Sequence, residues 1–419
     1  MPLNVVACTG NRFSMSISWG RVLLITKLVW RHILKVREML PALAALILLG
    51  VWSFPSYALP AFARQTGQNC LACHAGGQFP ELTPYGRLFK LTGYTLGSRS
   101  IPLSVMAVID YTNVRNTKDS TGVKDTTDFY KNGTAMLDFG SVFLAGKITD
   151  NLGVFAQATY THYDHQQANG DWVSHLNADN SELRYADRFI SPGNDLIVGA
   201  FANNNPSMQD VWNSTAAWGY PYVQPAFSLV GARAVPQLDG GLAQNAVGAG
   251  VYAYWNKSLY GELSVYRTAN GPYSFLHPGD NSGIARIKDG APYWRLAYTK
   301  EFGPHNLMVG TSGLEAKIHE NNDVSQPTDR YRDYGFDAQY QYILDPHTVT
   351  AHISYIHENV KWGNPALVGT AGADNANETL KELKMKVAYV YNAKYGGSLA
   401  YQQLTGSTDA TFYAGSNPP

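Results

Sequence analysis

A two-residue alternation of apolar and polar positions recurs through some three hundred residues, and the connections between its segments run short, then long, then short again. In GVFAQATYTHY, which begins at Gly153, Val154, Ala156, Ala158 and Tyr160 face one way and Gln157, Thr159 and Thr161 the other. Val247, Ala249, Val251, Ala253 and Trp255 share a face, and Val349, Ala351, Ile353 and Tyr355 stand opposite Thr350, His352 and Ser354. A period of two places successive side chains on opposite sides of a strand, so each segment has two different environments.

Thirteen strands are expected, at 103–112, 134–148, 152–163, 181–190, 195–203, 244–255, 258–268, 292–302, 306–318, 331–343, 348–360, 379–392 and 396–405. Most reach the roughly 9–11 residues that a tilted strand needs to cross a bilayer, which is long for a globular protein. Tight turns at Thr149–Asn151, Ser191–Asn194, Asn256–Lys257, Gly303–His305, Asp345–His347 and Asn392–Tyr395 are separated by much longer loops. One tight rim and one loopy rim is the pattern of an all-β, antiparallel outer-membrane barrel with its short turns in the periplasm. Tyrosine and tryptophan near the strand ends suit the two membrane interfaces. A secreted β-sandwich has the same period and is the alternative. Thirteen is odd, whereas single-chain bacterial barrels close with an even number, and the sequence ends in the loop-like Gly415-Ser416-Asn417-Pro418-Pro419. The expectation is a barrel, 101–419, that lacks at least one C-terminal strand; three more would give about sixteen.

Composition fits this reading. The 27 tyrosines and 39 glycines suit half-exposed strands and tight turns, and 32 basic residues balance 32 acidic ones. Without a positive excess there is no field to hold a phosphate backbone, so a nucleic-acid partner is not expected.

Ahead of the strands lies an export signal. Basic Arg31, His32, Lys35 and Arg37 precede the apolar run Leu40–Trp52 and then Ser56-Tyr57-Ala58, whose small first and third residues suit cleavage after Ala58. Residues 1–58 therefore read as a signal peptide, with 1–38 a long n-region or an over-extended start before Met39. A retained helix would need about 20 apolar residues.

Cleavage leaves two cysteines, both in CLACH: Cys70, Leu71, Ala72, Cys73, His74. In c-type attachment two thiols join the haem vinyl groups and the next histidine lies under the iron. A zinc site would need a second pair of ligands, and a thioredoxin-like dithiol a βαβ setting; neither is present. Residues 59–100 form a monohaem cytochrome c-like segment at the size below which a domain rarely folds unaided. That suggests a cap leaning on the strands behind it.

The run PAFARQTGQNCLACHAGGQFPELTPYGRLFKLTGYTL, Pro60 to Leu96, resembles the N-terminal signature of the fused cytochrome-porins, outer-membrane monohaem c-type cytochromes that include iron-oxidising cytochromes. The matching residues are Phe62 to Gly67 before the motif, then Phe79, Pro80, Leu82, Gly86, Arg87, Phe89, Lys90, Gly93, Tyr94 and Thr95. The resemblance implies one haem c plugging a barrel of about sixteen strands. It also implies electron transfer from an extracellular donor, Fe(II) among the candidates, to a periplasmic carrier such as a soluble cytochrome. A porin-like transport pore whose haem only plugs or senses is the alternative from another class. The predicted location is the bacterial outer membrane, in contact with its lipid.

Further site residues are weaker expectations. Arg64 and Arg87 flank the motif and match carboxylate geometry, which suits haem propionates as well as ordinary surface charge. Met106, the first methionine after His74, leads the candidates for distal iron ligand, followed by Lys90 and the lumen-facing His352. His162, His165, His175, His277, His319 and His357 map to the loopy rim, some beside Asp164, Glu320 and Glu358, a donor set suited to Fe(II) but also to any solvated loop.

Overall fold

The structure, a computed structural model, describes residues 60–77, 80–113, 132–166, 171–215, 235–277, 286–319, 323–364, 368 and 373–411. Within it the strands are β1 (Leu103–Thr112), β2 (Thr134–Lys147), β3 (Leu152–Gln166), β4 (Trp172–Ser191), β5 (Asn194–Asn203), β6 (Ala246–Trp255) and β7 (Leu259–Thr268). There follow β8 (Arg286–Ile287), β9 (Ala291–Phe302), β10 (His305–His319), β11 (Asp329–Leu344), β12 (His347–Lys361), β13 (Asn377–Tyr391) and β14 (Tyr395–Gly406). All thirteen expected strands are present. The two-residue β8 is additional, and β4 starts at Trp172 rather than at 181. The signal peptide and the last eight residues lie outside the described residues.

All pairings are antiparallel between sequence neighbours, except that β7 pairs with β9 while β8 hangs on β10 through Ile318 and His319. Among the described residues, β1 and β14 have one neighbour each. The registers are long and regular, for example His305 opposite Tyr342 through to Ile318 opposite Asp329.

Burial along these strands runs opposite to a soluble fold. In β7, Tyr260, Glu262, Ser264, Tyr266 and Thr268 are buried while Leu259, Leu263 and Val265 are exposed. The same holds around the sheet: Leu296, Val309, Phe336 and Val387 stand out, whereas Glu182, Arg184, Arg295, Asp337, Gln339 and Gln341 are shielded. A sandwich would turn its apolar faces inward. This single sheet with a polar interior excludes that alternative and has the inside-out arrangement of a membrane barrel.

Two segments of the long β5–β6 connection fill part of that interior. Asn204–Thr215 is buried throughout, and Leu238 and Leu242 pack under Tyr266, Tyr293, Leu314 and Ile356. Polar side chains that look like loop sequence are paired with the wall. Arg295 donates to Asp337 at 2.9 Å and to Ser214 Oγ at 2.6 Å, and lies 3.4 Å from Asp210. Gln209 Nε2 donates to Glu262 at 2.6 Å, and the Trp212 ring meets Tyr260 edge-on at 5.4 Å. Breaking such a buried pair from one side strands the other charge, at about 3–5 kcal/mol. Arg295→Leu is therefore expected to destabilise by about that amount and to expose the 204–215 segment to limited proteolysis. Unchanged urea unfolding and an unchanged digest would contradict the clamp.

Candidate functional site

The CLACH motif is folded by its neighbours into one helical turn. Three helices carry the N-terminal segment: α1 (Pro60–Thr66), α2 (Cys70–Cys73) and α3 (Pro84–Leu91). Asn69 caps α2 by accepting from Ala72 N at 3.3 Å. His74 leaves the turn in an extended conformation with its N–H on Cys70 O at 2.8 Å. Thr83 ties α2 to α3: its hydroxyl donates to Ala72 O, its N–H to Cys73 O at 2.9 Å, and its Oγ1 accepts from Gly86 N as the α3 cap. Pro84 follows in the first turn, where its missing N–H costs nothing. A Cβ on Gly86 would stand 2.1 Å from Cys73 O, so only glycine permits this approach of α3 to the cysteine turn.

The segment is held by strands from both ends of the sheet order. Ala61 N donates to Ser104 Oγ on β1, and Gln65 Oε1 accepts from Lys147 N on β2 while its amide reaches Tyr94 O and Leu96 O. Tyr94 OH donates to Glu182 on β4 at 2.8 Å, and Tyr252 OH on β6 donates to Leu91 O. On the other side Glu81 is bonded by Lys386 of β13 and Gln339 of β11. Gly76, at φ +64°, leaves no room for a Cβ against Val390 of β13. One short segment can meet β1, β2, β4, β6, β11 and β13 together only if the sheet curls around it. Lys147, Gln341 and Val390 all lie within a few residues of the tight turns, so the seat is at the short-turn end. The N-terminal segment and the strands fall in one compact unit, Tyr57–Pro419.

The sequence-derived residues divide sharply. Cys70, Cys73 and His74 share the α2 turn. Arg87 is buried in α3, donating to Leu82 O and Gln341 Oε1 at 2.8 Å and Asn306 Oδ1 at 3.3 Å, and Arg64 donates to Ile101 O and Leu103 O. Both arginines thus bond protein groups, Arg87 from a buried position and Arg64 through one nitrogen of an exposed guanidinium. Met106 packs with Phe62, Phe89, Tyr94 and Met208, whereas His74 bridges to Leu82 on the side of β12 and β13. Lys90 Nζ is taken by Met208 O and Asp210 O. His352 faces inward between Gln339 and Lys386, the two residues that hold Glu81. Of the rim histidines, His319 meets Gln326 O, His357 meets Asn359, and His277 is buried; the side chains of His162 and His165, and Glu320, lie outside the described residues. Among the described residues no three His, Cys, Asp or Glu side chains gather as metal ligands. Sequence reading missed the parts of Thr83 and Glu81, although Thr-Pro followed by an apolar turn is a legible helix start.

Burial sets the chemistry of the turn. Desolvation lowers the His74 pKa to about 4, partly opposed by a hydrogen bond with the Glu81 backbone, so the imidazole is neutral at physiological pH. Burial and the neighbouring Cys70 push the Cys73 thiol up to about 11. Burial also lowers Lys90 to about 8.

No family model matches the chain, and no curated protein matches it. Among solved structures, in-vitro folded OmpT, an outer membrane protein of Vibrio cholerae, is 10% identical with a TM-score of 0.31, over 70% of this chain and 88% of that one. OccK9 (OpdG) of Pseudomonas aeruginosa is 8% identical with a TM-score of 0.27, over 73% and 92%. Scores this low leave the fold to be argued from the strands themselves.

Three outcomes follow for protein with both thiols free. Cys73 is expected to react slowly with iodoacetamide at pH 8 and progressively faster toward pH 11; fast labelling at pH 8 would contradict its burial. Because the folded pKa of His74 lies below its unfolded value, its contribution to stability is present above about pH 6.5 and lost as pH falls toward 4. Gly86→Val is expected to separate α2 from α3 and remove the slow phase of Cys73 labelling.

Proposed function

We propose that this chain is an outer-membrane β-barrel that carries one covalent haem c in its lumen and passes electrons from an extracellular donor to a periplasmic carrier. The observation that carries the reading is the Cys-x-x-Cys-His turn, held by Thr83 and Gly86 and seated at the short-turn end of an inside-out sheet.

The donor set fits the group. Two thiols three residues apart on one turn lie about 5–6 Å from each other at Cβ, and a neutral imidazole, half-buried here, is the form that binds iron. The Glu81 backbone steadies that imidazole, as outer partners of metal-binding histidines do. Haem c, once attached, supplies a one-electron iron centre. The chain supplies the rest: Phe62, Phe89 and Tyr94 wedge the segment against β2 and β3, and Glu81 with Lys386 anchors its far side. Leu71, on the cysteine turn, is exposed and marks where a soluble carrier approaches.

A bilayer core is about 30 Å thick, so one haem at the short-turn end cannot serve a donor that stays outside. The donor must enter the lumen, and the buried 204–215 segment, with Leu238 and Leu242, favours a small one. Fe(II), a small ion, meets that condition; Asp333 and Glu358 face inward in the loop-side half with Leu238 N and Gln237 N on their carboxyls, and Glu382 lies 3.2 Å from Lys384.

The test is full-length protein matured with haem and placed in vesicles holding oxidised cytochrome c. Outside Fe(II) is expected to reduce first the bound haem, then the trapped cytochrome; a haem that no external donor reduces sinks the proposal. Solute leakage without donor reactivity would favour the transport pore. Replacing both Cys70 and Cys73 by Ala is expected to abolish haem that survives acid-acetone extraction, whereas His74→Ala should keep it attached and change its spectrum. The membrane part has its own check. Leu296→Arg, on the outward face, is expected to cost about 2–4 kcal/mol in urea unfolding from phospholipid vesicles.

A further inference from the structure

On the outward face of β10 to β12, just below the loopy rim, three cations stand side by side. Lys317 is the register partner of Arg330, and Arg330 of Lys361, so like charges sit directly opposite each other across three strands. Such pairing is destabilising unless something anionic is shared. Arg332 lies one outward position lower, and Lys381 extends the group onto β13 opposite His357. Among the described residues one carboxylate answers them: Glu315, 2.7 Å from Arg330 and 3.2 Å from Arg332. Lys317, Lys361 and Lys381 are exposed.

Position makes this more than a solvated patch. At the other end of the same outward face, His305 stacks on Phe302 and bonds Tyr340 OH at 2.7 Å, and His347 bonds Tyr389 OH at 2.8 Å, an aromatic belt at the short turns. Lys317 is twelve residues beyond His305 on β10 (317 − 305 = 12), and Arg330 twelve from Tyr342 on β11 (342 − 330 = 12). At about 3.4 Å per residue and a tilt near 45°, twelve residues rise about 29 Å, the depth of a hydrocarbon core. Below Glu315, Arg332, His357 and Lys381 the face is largely apolar: Val309, Phe336, Ile353 and Val387 are exposed. The cations therefore lie at the headgroup level of the outer leaflet, above a wall suited to acyl chains.

We propose that Lys317, Arg330, Arg332, Lys361 and Lys381 form a docking surface for an outer-leaflet lipid with a phosphomonoester headgroup. Its phosphate relieves the repulsion along the Lys317–Arg330–Lys361 row, and its acyl chains lie on the apolar face below. The proposal rests on the outer-membrane reading and goes beyond it by naming the lipid chemistry and the residues that take it.

Full-length protein is reconstituted into phosphatidylcholine vesicles doped with diphosphoryl lipid A or with its dephosphorylated form. Lipid retained through detergent extraction is then measured by mass spectrometry. Expected is selective retention of the phosphorylated form, falling steeply between 50 and 500 mM salt, and reduced at least tenfold in the combined variant Lys317→Gln, Arg330→Gln, Lys361→Gln. Equal retention of the two lipids, or retention indifferent to salt, overturns the proposal without needing a variant. So does displacement by millimolar inorganic phosphate, which would mark a free-phosphate site. Heat-modifiable gel mobility confirms that the variant is folded, and a folded variant that binds normally is equally decisive against it. Failure of the unmodified protein to insert into any vesicle overturns the membrane reading itself; insertion without lipid selectivity overturns only this inference.

Discussion

Everything inside this sheet depends on satisfying buried charge. With an apolar face turned outward, the inward face carries Glu182, Arg184, Glu262, Arg295 and Asp337, and none of these is tolerable away from water unless paired. The wall pairs some of them within itself, as Arg184 does with Glu182 at 2.8 Å. The inserted segments pair the rest. Arg184 also donates to Lys90 O and Gln209 O, so one guanidinium ties the wall to the N-terminal segment and to the inward-folded loop together. Wall and contents are thus a single cooperative structure, and the N-terminal segment, too short to fold alone, borrows its stability from the strands it fills.

What could be read from the sequence divides along the same line. Strand positions were legible because alternation and tight turns are local signals, and β1 was placed to the residue. The start of β4 was not: in WVSHLNADN the inward Val173 and exposed Ser174 break the alternation, and the β3–β4 register slips beside it. The Cys-x-x-Cys-His motif was legible from its spacing, which here becomes one helical turn with His74 at its end. Arg87 was not, since its partners Asn306 and Gln341 lie 219 and 254 positions away and nothing local predicts them. Asn204–Thr215 reads as an exposed loop for the same reason: its polarity suits water, and equally suits a polar interior that only the assembled sheet creates.

The filled lumen also weighs between the two functional classes. Solute flux through this interior would require parting Arg295 from Asp210 and Asp337, or withdrawing Lys90 from Met208 O and Asp210 O, at several kcal/mol for each buried group exposed. Electron transfer requires no such opening. It needs a donor small enough to approach and a centre held in one place, and Lys90 links the inward-folded segment to α3, the helix that Thr83 and Gly86 tie to the cysteine turn. The short-turn end holds Cys70, Cys73 and His74, and Lys90 and Arg184 join that end to the inward-folded 204–215 segment through Met208 O and Gln209 O.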